Sequence, residues 1–180
     1  MPRIDVPHGM RPLDRVDELA PTLRRSMKEL RRLTLDETRL SMSEIEALRL
    51  RSAQLNGCAT CMRYRLERDD PARGARAEGR LTPEFYAAVL GEGDLSVLTE
   101  RERLAREFTE RFTVDHFSLD NDEEFWIRMK ANFDDQEIVE VGITVMSFVM
   151  SARLNRVLGV DAVTCEISVS GEQLLETSAA

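Results

Sequence analysis

A short polar residue followed three positions later by glutamate recurs along this chain, at Ser43 and Glu46, Thr99 and Glu102, Asp120 and Glu123, and Asp134 and Glu137. In such a pair the first side chain accepts a backbone N–H of the opening helical turn. The glutamate reaches back to the capping residue's own N–H, so each pair predicts a helix start. Thr82-Pro83 predicts a fifth start, with proline at a position that needs no N–H. Apolar residues then recur at helical spacing: Ile45, Leu48, Ala53 and Leu55; Phe85, Val89 and Leu90; Leu104, Phe108 and Phe112; Phe125, Ile127 and Met129. A helix is also expected over Leu13 to Leu33. The pattern from Asp134 to Leu158 is the longest, apolar around more than one face and stopped by Gly159. Such a helix is central or contributes to a subunit interface. Apart from a short Val163–Val169 segment, nothing alternates as a strand does. The expectation is an all-α fold of six to seven helices.

The 180 residues suit one domain with a core of its own. An extended arm is expected over 1–12, the helical domain over 13–160 and a tail over 161–180. The stretch Asp69 to Arg80 reads as a mobile loop. Hydrophobic content of 42% and charged content of 32% are ordinary for a soluble globular protein. A net charge of −8, with no basic stripe, argues against nucleic acid as a partner. The longest uncharged run, Val141 to Ala152, is too short for a bilayer, and the first residues lack the apolar core of a signal peptide. Three cysteines do not make a secreted disulfide framework. A soluble, cytoplasmic protein is expected, with no membrane partner.

Cys58-Ala59-Thr60-Cys61 is the stretch that bears chemistry. A helix from Ser43 to about Leu55, an Asn56-Gly57 turn and a second helix from Cys58 to about Arg68 would make a helical hairpin. The second helix then carries Cys58, Cys61 and Arg65 on one face, with Glu46 opposite. A carboxylate, a guanidinium and two thiols in line are what a dithiol site with controlled protonation needs. A half-built metal site is the rival, but its further ligands, among Cys165, His116 and His8, are scattered singly.

Glu46, eleven intervening residues and then Cys58-x-x-Cys61, within Leu50 to Cys58, resembles the alkyl hydroperoxidase D and carboxymuconolactone decarboxylase superfamily. Phe133 to Val141, and the apolar helix ending in Arg153 to Val160, are also similar to it, so the resemblance spans roughly residues 35–160. It implies an all-α fold that assembles into homo-oligomers, and it calls for no cofactor or metal. In the hydroperoxidase branch the two cysteines cycle between dithiol and disulfide while reducing peroxides. The partners implied are a small peroxide or lactone and a dithiol electron donor. The carboxylate and a histidine four residues after the second cysteine relay protons. This chain has Arg65 at that position and Thr60 where a histidine can also stand between the cysteines. Arginine does not release its proton, so it would act instead by fixed charge, lowering the thiol pKa and pairing with Glu46. His116, after Asp115, is a second candidate for the missing proton transfer.

Cys61 is preferred as nucleophile for its closeness to Arg65, while a helix N-terminus would favour Cys58. Bland readings stand beside these. Glu46 serves a capping box with Ser43; Arg65 is a surface arginine; His116 is a loop histidine bonded to Asp115; the cysteines are inert core residues. Phe125, Trp126, Met146 and Met150 read as core. A thiol peroxidase leads. Lactone decarboxylation or a related proton transfer, with the cysteines as bystanders, is the second reading. A non-catalytic redox-sensing or binding oligomer is the third.

Overall fold

Pro21 divides the first expected helix. A residue before proline is pushed out of the helical region, and Ala20 accordingly has φ −137° and ψ 57°. Helix α1 (Pro12–Leu19) therefore ends there and α2 (Pro21–Asp36) begins anew. The computed structural model describes residues 1–160. Cys165, the Val163–Val169 segment and the tail lie outside the described residues. Within them the chain is all-α, with eleven α-helices and two single-turn 3-10 segments. The number exceeds six or seven because proline and extended residues cut the longer patterns.

The remaining helices are α3 (Met42–Leu55), α4 (Ala59–Arg63), α5 (Leu66–Asp69), α6 (Pro71–Gly74), α7 (Pro83–Leu90), α8 (Glu100–Val114), α9 (His116–Asp120), α10 (Glu123–Asn132) and α11 (Asp135–Leu158). Thr99 with Glu102 and Asp134 with Glu137 form reciprocal capping boxes, and Thr82 caps α7 ahead of Pro83. Two expected starts are displaced. Asp120 closes α9, and Asp122 caps α10 by accepting the Phe125 N–H at 2.9 Å. The box of α3 is Ser41 with Glu44, two residues before the expected pair. The sequence Ser-Met-Ser-Glu-Ile-Glu holds both frames, and the earlier one prevails: Glu44 Oε2 accepts the Ser41 N–H at 2.8 Å. Glu46 is thereby free of capping and moves into the second turn.

The expected loop over residues 69–80 instead holds α6 and a 3-10 turn, Ala75–Ala77. Arg73 ties it to α2 through both oxygens of Asp36, each at 2.8 Å. The N-terminal arm lies against the far end of the chain, where the Arg3 N–H donates to the Leu158 carbonyl at 2.8 Å.

Helix α3 is the axis of the molecule and packs on α8, α11 and α7. Ile45, Leu48 and Leu50 are fully buried, each contributing about 1.5–3 kcal/mol by leaving water. Every residue from Met42 to Leu50 is buried, so α3 is enclosed on all sides. The charges it carries, on Glu44, Glu46 and Arg49, must therefore find partners inside the protein. Helix α11 turns Val141, Val145, Phe148 and Val149 inward. Met146 and Met150 face outward with Val139, Ile143 and Val157, so these methionines are not core. Ile127 is likewise exposed, since α10 packs with one side only. No helix among the described residues is long and apolar enough to cross a membrane.

Candidate functional site

The end of α3 fixes the first cysteine. Asn56 is the C-cap and Gly57 turns the chain at φ +65°, a conformation glycine adopts without a Cβ clash. The Gly57 N–H then donates to the Gln54 carbonyl (3.0 Å) and the Cys58 N–H to the Ala53 carbonyl (2.9 Å). This paired closure satisfies the last carbonyls of α3 and delivers Cys58 directly to the start of α4. Cys58 and Cys61, both half-buried, are joined in a disulfide with their Cα atoms 5.3 Å apart. The Cys61 N–H also donates to Cys58 Sγ at 3.3 Å. A donor aimed at this sulfur favours its thiolate when the pair is reduced.

Beneath the disulfide lies a buried ion pair. Arg49 Nε donates to Glu46 Oε2 at 2.6 Å and Nη2 to Oε1 at 2.7 Å, one helical turn apart on α3. The Glu46 side chain is wholly buried and the Arg49 side chain 10% exposed. Burial works against the Arg49 charge, but the hydrogen bonds and charge of Glu46 outweigh it and hold the guanidinium above its usual pKa. The remaining Arg49 donors reach across to the cysteine loop. Nη1 donates to the Cys61 carbonyl (2.7 Å) and Nη2 to the Tyr64 carbonyl (2.9 Å). The carboxylate thus connects to the disulfide through a guanidinium and a peptide group.

Arg65 is positioned otherwise than the hairpin model expects. The second helix breaks after Arg63, and Arg65 is extended at φ −130° and ψ 123°. Its guanidinium lies over the Tyr86 ring at 4.2 Å and donates to the Met62 and Tyr64 carbonyls. Arg49 occupies both oxygens of Glu46, which leaves the expected Glu46–Arg65 pair unformed. His116 opens α9, exposed and set against the Phe117 ring at 4.2 Å. Among the described residues no hydrogen bond or ring contact joins it to the cysteines. Glu46, Cys58 and Cys61 are brought together; Arg65 lies beside them and His116 apart.

Three participants escape a sequence reading. Arg49 is signalled only by its i, i+3 spacing from Glu46. Tyr86, on α7, donates its hydroxyl to Glu67 Oε2 at 2.5 Å. Burial, then the charges of Glu46 and Glu67, hold that hydroxyl far above the usual tyrosine range. Arg31, on α2, lies over the Phe148 ring at 4.1 Å and donates to the Ser147 carbonyl at 2.6 Å. Burial first, and repulsion by Arg49 second, pull its pKa down to about 10. Phe125 is core and Trp126 half-buried, its Nε1 donating to the Leu119 carbonyl at 2.9 Å. No known protein-family model matches this chain, and a search of the curated proteins finds no match.

Proposed function

We propose that this chain is a thiol oxidoreductase that reduces small peroxides at the Cys58–Cys61 centre. The observation that carries the reading is the disulfide itself, half-buried and held over the Glu46–Arg49 pair by the Arg49 bond to the Cys61 carbonyl. Reduced, Cys58 is the sulfur that receives a backbone N–H, and it takes over the nucleophile's role that Arg65 would have given to Cys61. Its thiolate attacks a peroxide oxygen; the O–O bond breaks, the departing oxygen takes a proton as alcohol or water, and Cys58 becomes a sulfenic acid. The Cys61 thiol condenses with it, releasing water and forming the disulfide. An external dithiol returns two electrons and two protons. Arg65 contributes fixed charge near the loop, and Glu46 the carboxylate of the proton pathway. The resemblance of the sequence to the hydroperoxidase branch supports the same reaction, in a cytoplasmic setting and a homo-oligomer. For assembly, α11 offers an outward stripe of Val139, Ile143, Met146 and Met150, spaced three or four apart as in helix-to-helix seams, with Val157 two turns further on.

The test is peroxide consumption by the purified protein with a dithiol donor, against Cys58→Ser and Cys61→Ser. Both variants should lose turnover, and Cys61→Ser should accumulate a trappable sulfenic acid on Cys58. Equal consumption by all three proteins removes the peroxidase reading. Turnover of carboxymuconolactone by the cysteine variants would install the decarboxylase reading instead.

A further inference from the structure

We propose that Arg153 is a carboxylate receptor beside the Cys58–Cys61 centre, so that the centre reacts preferentially with reagents that carry a carboxylate. Arg153 is exposed near the end of α11 and is held at two points. Its Nε donates to Asn56 Oδ1 at 3.4 Å and its Nη2 to the Thr113 carbonyl at 2.7 Å. Asn56 is itself fixed, since its Nδ2 donates to the Ser52 carbonyl at 2.7 Å. Cys58 follows two residues later, and two trans peptide steps span at most about 7 Å between Cα atoms. The guanidinium is thereby anchored to the turn that delivers the first sulfur of the disulfide. Arg63 and Arg65, which follow Cys61, add positive charge and form no ion pair among the described residues.

An arginine has five N–H donors, and the anchoring takes two of them. Both hydrogens on Nη1 and one on Nη2 have no acceptor among the described residues. Those are the prongs that grip the two oxygens of a carboxylate. The chain's own carboxylates nearby are engaged elsewhere: Glu110 pairs with Arg51, Asp115 accepts the Ser118 N–H, and Glu46 is held by Arg49. A cation at a helix end also serves the last carbonyls, as Arg153 serves Thr113, but that task sets no preference among reagents. The chain as a whole carries −8 and repels anions, so a preference for them has to come from local charge. A thiol reduces the centre in two exchanges. Its thiolate attacks one protein sulfur, the S–S bond breaks, and the other protein sulfur leaves as a thiolate and takes a proton. A second thiolate attacks the mixed disulfide, freeing the first sulfur and leaving the reagent as its own disulfide. A carboxylate gripped by Arg153 holds the reagent's reactive end near the sulfurs and removes part of the entropy cost of the encounter. The carboxylate can belong to the reducing thiol or to the peroxide; its use in turnover rests on the redox function proposed above, and the receptor does not.

Two sets of rates test the receptor in the full chain, Arg153→Gln and Arg153→Lys. The oxidised protein is reduced by mercaptopropionate, mercaptoethanol or cysteamine, which are anionic, neutral and cationic thiols. The reduced protein is oxidised by monoperoxyphthalate, which carries a carboxylate, or by neutral tert-butyl hydroperoxide. The variant-to-parent ratio for each reagent cancels its intrinsic reactivity. Arg153→Gln should slow a carboxylate reagent by about fivefold and leave the neutral ones within about twofold, the upper range for an exposed ion pair. Arg153→Lys, which keeps the charge but not the fork, should lose less. Sodium chloride at about 0.5 M should erase the parent's preference. A preference in the thiol set assigns the carboxylate to the electron donor, and one in the peroxide set assigns it to the substrate. Equal ratios for anionic, neutral and cationic reagents in both sets overturn the proposal, since Arg153 is then a helix-end cation alone. Should Arg153→Gln fail to fold, the parent decides: an anionic-to-neutral rate ratio that does not fall with salt overturns the proposal. A parent selective among thiols but inert to both peroxides sinks the peroxidase reading and leaves the receptor standing.

Discussion

Glu46 and Arg49, one turn apart on α3, form a two-pronged ion pair inside the protein, and Arg49 extends it to the backbone of the cysteine loop. The pair does two tasks at once. It allows a fully enclosed helix to carry charge, and it fastens the disulfide segment to the central helix.

Removing one member of such a pair leaves the other buried and uncompensated. Arg49→Met should cost about 3–5 kcal/mol, the range for breaking buried ion pairs. It also frees the Cys61 and Tyr64 carbonyls, so the disulfide should become more accessible to reductant. Denaturant melts and reduction rates report both effects; a loss below about 1 kcal/mol, typical of a surface pair, would contradict the arrangement.

Acid should weaken the fold through Glu102. Burial raises its pKa, but hydrogen bonds from Arg80 and the Thr99 N–H outweigh this, and the folded value lies below the ordinary one. A depressed carboxylate contributes stability that is present above its unfolded pKa of about 4.3 and lost as pH falls through the folded value. Glu102→Gln should cost about 1 kcal/mol or more near neutrality, as lost charge-assisted bonds do. It should flatten the stability profile below about pH 4.3. Chemical denaturation at pH 7 and pH 3 compares the two proteins.

Thr144 is fully buried in α11 with its hydroxyl unpaired among the described residues. Thr144→Val keeps the shape and removes the unsatisfied oxygen, so it should stabilise by about 1 kcal/mol. A thermal melt no higher than the parent's would show that the hydroxyl has a partner in solution.

Gly159 ends α11 at φ +65°, and a Cβ there would sit 2.6 Å from the Met1 carbonyl oxygen. Gly159→Ala should cost about 1–2 kcal/mol from the left-handed backbone alone. The clash adds to that, and deleting residues 1 and 2 should recover only the added part.

The stripe on α11 tests assembly. Met146→Glu changes an exposed side chain and should leave stability within about 0.5 kcal/mol. Sedimentation should show a smaller species than the parent; an unchanged mass rules this face out as the contact.

The helical class and most helix starts were legible because they depend on neighbours in sequence. A capping serine or threonine, a proline in the first turn and apolar spacing act over four residues, as at Thr82, Thr99 and Asp134. Even local signals compete, and Ser41 with Glu44 prevailed over Ser43 with Glu46. The juxtaposition of Glu46 with two cysteines was also readable, since one tight turn joins their helices. What the sequence left open was the partner of each charge. Arg65 lies four residues from Cys61, but a break in the helix turns it to Tyr86. Arg49 is directed to Cys61 only because α3 is buried on every side, and Glu67 meets Tyr86 across nineteen residues. Local rules decide where helices begin; the need to satisfy every enclosed charge is met only when the whole chain has packed.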